Sequence, residues 1–268
     1  MKTMKKLLIP FAALALMLVG CNKEGSGTEA GGNAQSATAQ NIVGKWYYPN
    51  ELIDFTEQPE YEFKADGTVS GSYYSGTWSM NDKGVLIINS KNWEGDDITV
   101  YLLPYTMYNG TVLVLFYDIP ELTPDGQPVM NQGQGYKEFF YKDGKADAND
   151  KADIQGTWDN IEGWDDNGDG TIDEEEGMKS VTVKFNGDNF DLIIHVWNGE
   201  SYSGTYTYKE GYVYFHPTKL MTSEGEKDPK EDGIGSEDGG DFVFPFIANG
   251  DEAYAYIIEG RGSWKKAK

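Results

Sequence analysis

Two stretches of this chain carry the same short motifs in the same order, and that repetition limits the fold more than any other feature. Residues 42–46, I-V-G-K-W, correspond to residues 154–158, I-Q-G-T-W. Residues 61–64, Y-E-F-K, lead into Asp66-Gly67, just as residues 181–185, V-T-V-K-F, lead into Asn186-Gly187. Residues 73–78, Y-Y-S-G-T-W, match residues 202–206, Y-S-G-T-Y, and residues 85–88 match residues 212–215. Order kept over four motifs means two copies of one structural unit. Within each copy the apolar residues are β-branched or aromatic and come in runs of strand length, at 98–103, 111–117, 137–142, 180–185, 190–196, 242–248 and 253–259. Turn pairs such as Asn109-Gly110, Asp143-Gly144 and Asn249-Gly250 separate them, and such pairs supply the positive φ that tight hairpins need. No amphipathic helical stripe follows the first twenty residues. The pattern predicts an all-β chain of two tandem small antiparallel barrels, closed or partly open, of roughly 110 residues each.

The first forty residues give an address. Lys2, Lys5 and Lys6 precede an apolar run at 7–19, shorter than a bilayer span and shaped like a secretory signal. The run ends in L-V-G-C at 18–21, which resembles the lipobox of bacterial lipoproteins. That resemblance implies cleavage after Gly20 and lipidation of Cys21, the one cysteine of the chain, which has no disulfide partner to explain it. Residues 22–40 hold no aromatic and no aliphatic side chain larger than Ala, and so read as a flexible leash. Lys23 and Glu24 resemble the surface-export signals of lipoproteins in Bacteroidetes-type bacteria. The expected division is a signal at 1–20, a lipidated leash at 21–40, a first β module at 41–142, a polar linker at 143–152 and a second module at 153–268. The expected location is the outer membrane, anchored through Cys21, on either its periplasmic or its surface side.

Residues 165–176, D-D-N-G-D-G-T-I-D-E-E-E, fit the twelve-residue calcium loop of an EF-hand at each defining position. Asp165, Asn167 and Asp169 fall at loop positions 1, 3 and 5, and Gly170 at the sharp turn. Thr171 offers its carbonyl at position 7, Asp173 acts at 9 and Glu176 closes the shell at 12. Calcium is a hard cation that takes six to eight oxygens, which a short loop delivers only by wrapping around it. The flanks depart from the EF-hand pattern: strand-like sequence stands on both sides and no second loop pairs with this one. The expectation is an isolated loop joining two strands, holding calcium weakly as a structural clamp.

The G-x-W openings at 44–46 and 156–158, the F-x-x-D-G-T turn at 63–68 and the later S-G-T-W or S-G-T-Y resemble the lipocalin-like domains of bacterial surface lipoproteins. The resemblance implies that a basic residue from a late strand packs over each G-x-W tryptophan. Arg261, the one arginine, is the candidate for Trp158, and Lys142 for Trp46. It also implies a cavity for a small apolar ligand, although small barrels are often filled by their own side chains.

The remaining chemistry is sparse. The chain has 22 Lys+Arg against 44 Asp+Glu, a formal net charge of −22, which sets it against nucleic acid and anionic headgroups. His195 and His216 stand without a partner motif and read as structural. No nucleophile elbow, zinc-protease motif or phosphate loop is present, so no enzymatic activity is expected. The acidic stretch at 224–241 reads as a solvated insertion. Trp93, Trp164 and Trp197 are the candidates for contact with a ligand or glycan. Asn92, Glu94, Gly95 and Asp96 place Trp93 in a loop, and Trp164 borders the calcium loop. The leading expectation is a calcium-binding, lipid-anchored protein that binds a small apolar ligand in a barrel; glycan capture by exposed aromatics, and a structural or adhesive role with filled barrels and a protein partner, are the alternatives.

Overall fold

The structure, a computed structural model, describes residues 34–49, 58–72, 74–117, 136–163, 177–197, 199–235, 239–257 and 260–268. The first copy contributes β1 (Gln35–Ser36), β2 (Gly44–Tyr47), β3 (Tyr61–Phe63), β4 (Thr68–Ser70), β5 (Gly76–Met80), β6 (Leu86–Lys91), β7 (Asp97–Met107), β8 (Val112–Tyr117) and β9 (Tyr136–Lys142). The second contributes β10 (Gly156–Gly163), β11 (Gly177–Asn186), β12 (Asn189–Ile194), β13 (Glu200–Lys209), β14 (Tyr212–Thr222), β15 (Gly225–Lys227), β16 (Phe242–Asn249), β17 (Glu252–Ile257) and β18 (Gly260–Lys266). From β2 to β9, and from β10 to β18 with β15 set aside, each strand pairs antiparallel with the next. Strand β2 then meets β9, and β10 meets β18, so each copy closes on itself. Two closed eight-stranded up-and-down barrels result, with β1 and β15 as short additions at β7 and β14. The predicted all-β class and tandem barrels match this architecture, while the strand predicted at 190–196 ends at Ile194 and gives way to a 3-10 turn at His195–Trp197.

The repeated motifs do the same work in both barrels. Trp46 and Trp158 are fully buried, and each indole N–H donates to the carbonyl four residues earlier, Ile42 at 2.7 Å and Ile154 at 2.8 Å. Register places Lys142 opposite Trp46 and Lys266 opposite Trp158. Their Nζ atoms lie 5.5 Å and 5.1 Å from the indole centroids. The glycine two residues before each tryptophan makes room for the lysine stem. A Cβ on Gly44 (φ 144°) would meet Lys142 Cε at 2.8 Å, and one on Gly156 (φ 117°) would meet Lys266 Cε at 2.7 Å. The cation over Trp158 is therefore Lys266, which corrects the assignment of Arg261. Arg261 pairs with Tyr256, five residues back along β18, out of register with Trp158. Lys266→Ala is expected to lower stability by about 1 kcal/mol, through lost stem packing and the cation–π contact; thermal unfolding followed by circular dichroism measures it. The glycine of S-G-T-W and S-G-T-Y is likewise explained by close approach. A Cβ on Gly76 would stand 2.0 Å from the Asn89 carbonyl oxygen, and one on Gly204 2.2 Å from that of His216.

Both interiors are packed with rings and branched chains. In the first barrel Trp46, Tyr61, Phe63, Trp78, Leu86, Ile88, Leu115 and Phe140 form one cluster. In the second, Phe215 lies 4.7 Å from Phe190, 5.0 Å from Phe242, 6.1 Å from Phe185 and 6.2 Å from Phe244, centroid to centroid. Trp158 and Trp264 close the same cluster through Phe246. Water reaches none of Trp46, Tyr61, Leu86, Phe140, Trp158, Phe215, Phe246 or Trp264.

The barrels meet side by side through a seam rich in tyrosine. Phe139 stacks on Tyr256 at 4.6 Å and Tyr48 on Tyr256 at 4.8 Å, while Tyr141 meets Tyr212 edge-on at 5.3 Å. Three hydroxyls bond across the seam: Tyr108 donates to Ala248 O at 2.7 Å, Tyr141 to Gly211 O at 2.7 Å and Tyr212 to Gly144 O at 3.3 Å. Tyr254 donates to Glu252, so its contact with Tyr105 has Tyr105 as donor. Glu252 in turn pairs with Lys137 of the first barrel at 2.7 Å. At the tip of the β13–β14 turn, a Cβ on Gly211 would fall 2.8 Å from the Tyr141 hydroxyl and 2.9 Å from Ala146 Cβ.

Three polar segments are more ordered than their composition suggests. The linker is held by backbone bonds from Asp143 N to Lys45 O, Ala146 N to Glu210 O and Gly211 N to Ala148 O, with Ala146 and Ala148 buried. It ends in a one-turn helix, α1 (Lys151–Ile154), capped by Asp150. The leash was expected to run to residue 40, yet Gln35 and Ser36 pair with Thr106 and Tyr105 and Ala37 is buried. The acidic stretch is not merely solvated: it adds β15 and a short helix, α2 (Pro229–Asp232), capped by Asp228. Pro229 is buried there and Ile234 packs on the core. In each case a few small or apolar residues among the polar ones supply the anchor.

Candidate functional site

The barrel connections fix where each candidate residue lies. Because strands alternate in direction, the β6–β7 turn falls at one end of the first barrel. In the second, the connections after β10, β12, β14 and β17 share a single end. The calcium-loop residues Asp165, Asn167, Asp169, Thr171, Asp173 and Glu176, together with Trp164, lie outside the described residues, as does Cys21. The stem that carries the loop is described. Gly163 pairs with Gly177 and Glu162 with Met178, so β10 and β11 bring the two ends of the loop together. Among the described residues no group of three or more His, Cys, Asp or Glu side chains could hold a metal ion, and no helix is long and apolar enough to cross a membrane.

Beside that stem is an exposed apolar patch that sequence reasoning did not single out as a unit. Trp197, in a short 3-10 turn at His195–Trp197, is 36% exposed, and Met178 on β11 is 71% exposed. Ile193 and Val196 on the adjoining segment are exposed as well. The signal was available: residues 193–197 are apolar on both strand faces apart from His195, which points outward and meets the Thr182 hydroxyl at 2.9 Å. His216 is paired with Asp241 at 2.8 Å. Both histidines thus have structural partners.

Trp93 stands apart from every other tryptophan that the structure describes. It projects from the β6–β7 turn with 92% of its surface exposed. An indole offers about 150–250 Å² of contact surface, so leaving it in water forgoes roughly 4–6 kcal/mol of burial. The turn beneath it is braced. Asn92 accepts through its side chain from Glu94 N at 3.0 Å and Asp96 N at 2.8 Å. Its backbone exchanges bonds with Asp96 O and Gly95 N. Lys91 pairs with Asp97 at 2.7 Å and reaches Gly95 O.

A cleft of about 590 Å³ opens where the linker crosses the β7–β8 turn. Its walls are carboxylates and amides, chiefly Asn41, Asn109, Asp147, Asn149, Asp150 and Asp153. Most already serve the joint: Asp147 accepts from Asn109, Asn149 accepts from Glu210 N and Asp150 caps α1. Tyr108 and Asn109 hold the turn in the left-handed region, at φ 47° and 57°. Burial, reinforced by the nearby Asp153 carboxylate, pushes the Tyr108 hydroxyl well above the usual tyrosine range. Such a cleft is a poor host for an apolar molecule.

No family model, curated protein or solved structure matches this chain.

Proposed function

We propose that this protein is a lipid-anchored, calcium-binding component of a bacterial outer membrane that acts through its outer surface, as a structural or adhesive element, rather than by carrying an apolar molecule. The observation that carries the reading is the packing of both barrels. An eight-stranded barrel is just wide enough to be filled by its own side chains or to hold one small ligand, and here rings occupy the middle of each. The tyrosine seam fixes the two barrels to one another, which suits a rigid spacer above a membrane. Lipidation at Cys21 supplies the anchor, and stable anchoring needs more than one acyl chain. Calcium in the 165–176 loop ties the β10–β11 connection and orders that end of the second barrel, with the weak affinity of extracellular calcium modules.

Native mass spectrometry of residues 22–268, purified gently with calcium present, tests this. One bound calcium and no further small-molecule mass is the expected result. An apolar molecule retained at one per chain would refute the reading. Glu176→Gln is expected to weaken calcium binding by about tenfold or more, since it removes the ligand that supplies two oxygens. Titration calorimetry reads that change, and an unaltered affinity removes the loop assignment.

A further inference from the structure

We infer that Trp93 is the contact point for a partner protein whose surface offers an apolar pocket rimmed by Lys or Arg. The inference rests on the reading that this protein works through its outer surface. The indole is 92% exposed on a turn that its own hydrogen bonds hold rigid, so docking requires little further ordering of the turn. The fold does not need it. In the second barrel the matching connection, between β14 and β16, is the acidic excursion with β15 and α2, and the barrel closes without any such finger.

Shape and charge select the occupant. A projecting indole stacked on a sugar ring covers one face and leaves the other in water, whereas a pocket covers both. Glu94 and Asp96 flank the indole, and Lys91 on the same turn is already paired with Asp97. With a net charge of −22 behind them, these carboxylates oppose anionic headgroups and favour a basic rim. Tryptophan seated in a pocket, with charged residues at the edge, is the usual anatomy of a binding hot spot.

The test uses the full-length lipidated protein in its own envelope, with a benzophenone amino acid at position 93. A second protein carries the same group at position 82, where Asp82 sits exposed in the β5–β6 turn. The expected result is a discrete protein adduct at 93 and none at 82, mapped to a partner peptide bearing Lys or Arg. Adding Glu94→Lys and Asp96→Lys should reduce it about tenfold. With the partner then purified, Trp93→Ala should weaken binding at least about 30-fold. Adducts only with lipid, adducts only with polysaccharide, no adduct at all, or an adduct indifferent to charge reversal would each overturn the inference. None of these outcomes touches the packing of the barrels, which the cargo measurement decides.

Discussion

Raising the pH above 10 is expected to unfold this protein in one steep step, with a group of tyrosines ionising only as the fold is lost. Tyr108, Tyr141, Tyr208, Tyr212 and Tyr254 are all buried, and burial is the largest reason why each hydroxyl is held well above the ordinary tyrosine range. In the unfolded chain the same groups release their protons near pH 10. Above that pH the folded state therefore binds more protons than the unfolded state. The stabilisation is fully present below pH 10 and is lost as pH rises, by about 1.4 kcal/mol per unit for each such group. Five together lose about 7 kcal/mol per pH unit. Domain stabilities are about 5–15 kcal/mol, so the transition should fall between about pH 11 and 12. Tyrosinate absorbance and near-ultraviolet circular dichroism, followed from pH 9 to 12.5, measure it. A smooth titration of all 18 tyrosines about pH 10, without loss of the dichroic signal, would show that the seam is open to solvent.

The tyrosine seam is also where sequence reading stopped short, for a physical reason. Alternation in an antiparallel barrel reports one buried face and one wet face. It served well for β12, where Phe190, Leu192 and Ile194 are buried and Asp191 is exposed. Strand β8, V-L-V-L-F-Y, has no polar alternate at all. Leu113 and Leu115 fill the first barrel, while Val112 and Val114 join the cluster shared with the second. Strands β16 and β17 carry the same unbroken apolar run. Such a run signals a strand sandwiched between a lumen and a neighbouring module, but it does not say which module or at what angle. The motif-level features survived because they depend on local contacts. The G-x-W glycine and its lysine are close neighbours across one strand pair, and Trp93 was placed in a loop by Asn92 and Gly95. The assignment of Arg261 failed because the residue facing Trp158 is set by register, which a one-residue slip changes completely. The ordered linker was missed since its anchors, Ala146 and Ala148, are small and its bonds are made by backbone.

Phe215→Ala should produce the largest loss of stability of any single change in the second barrel. Its ring touches four other phenylalanines, and water does not reach it. Truncating a buried Phe to Ala destabilises by about 3–5 kcal/mol, combining lost transfer energy with the hole left behind. For a chain of this size that is a fall in melting temperature of roughly 10 °C. The hole would be lined by Phe185, Phe190, Phe242 and Phe244, all apolar, and an apolar cavity stays dry and accepts small aromatic molecules. Benzene should accordingly raise the melting temperature of the variant and leave the wild type unmoved, because ligand binding to the folded state stabilises it by mass action. The comparison separates two barrels that would otherwise look alike. A wild-type protein stabilised by benzene has room among its rings and could carry cargo. One that gains nothing until Phe215 is removed is packed shut, and its function must lie on the outside.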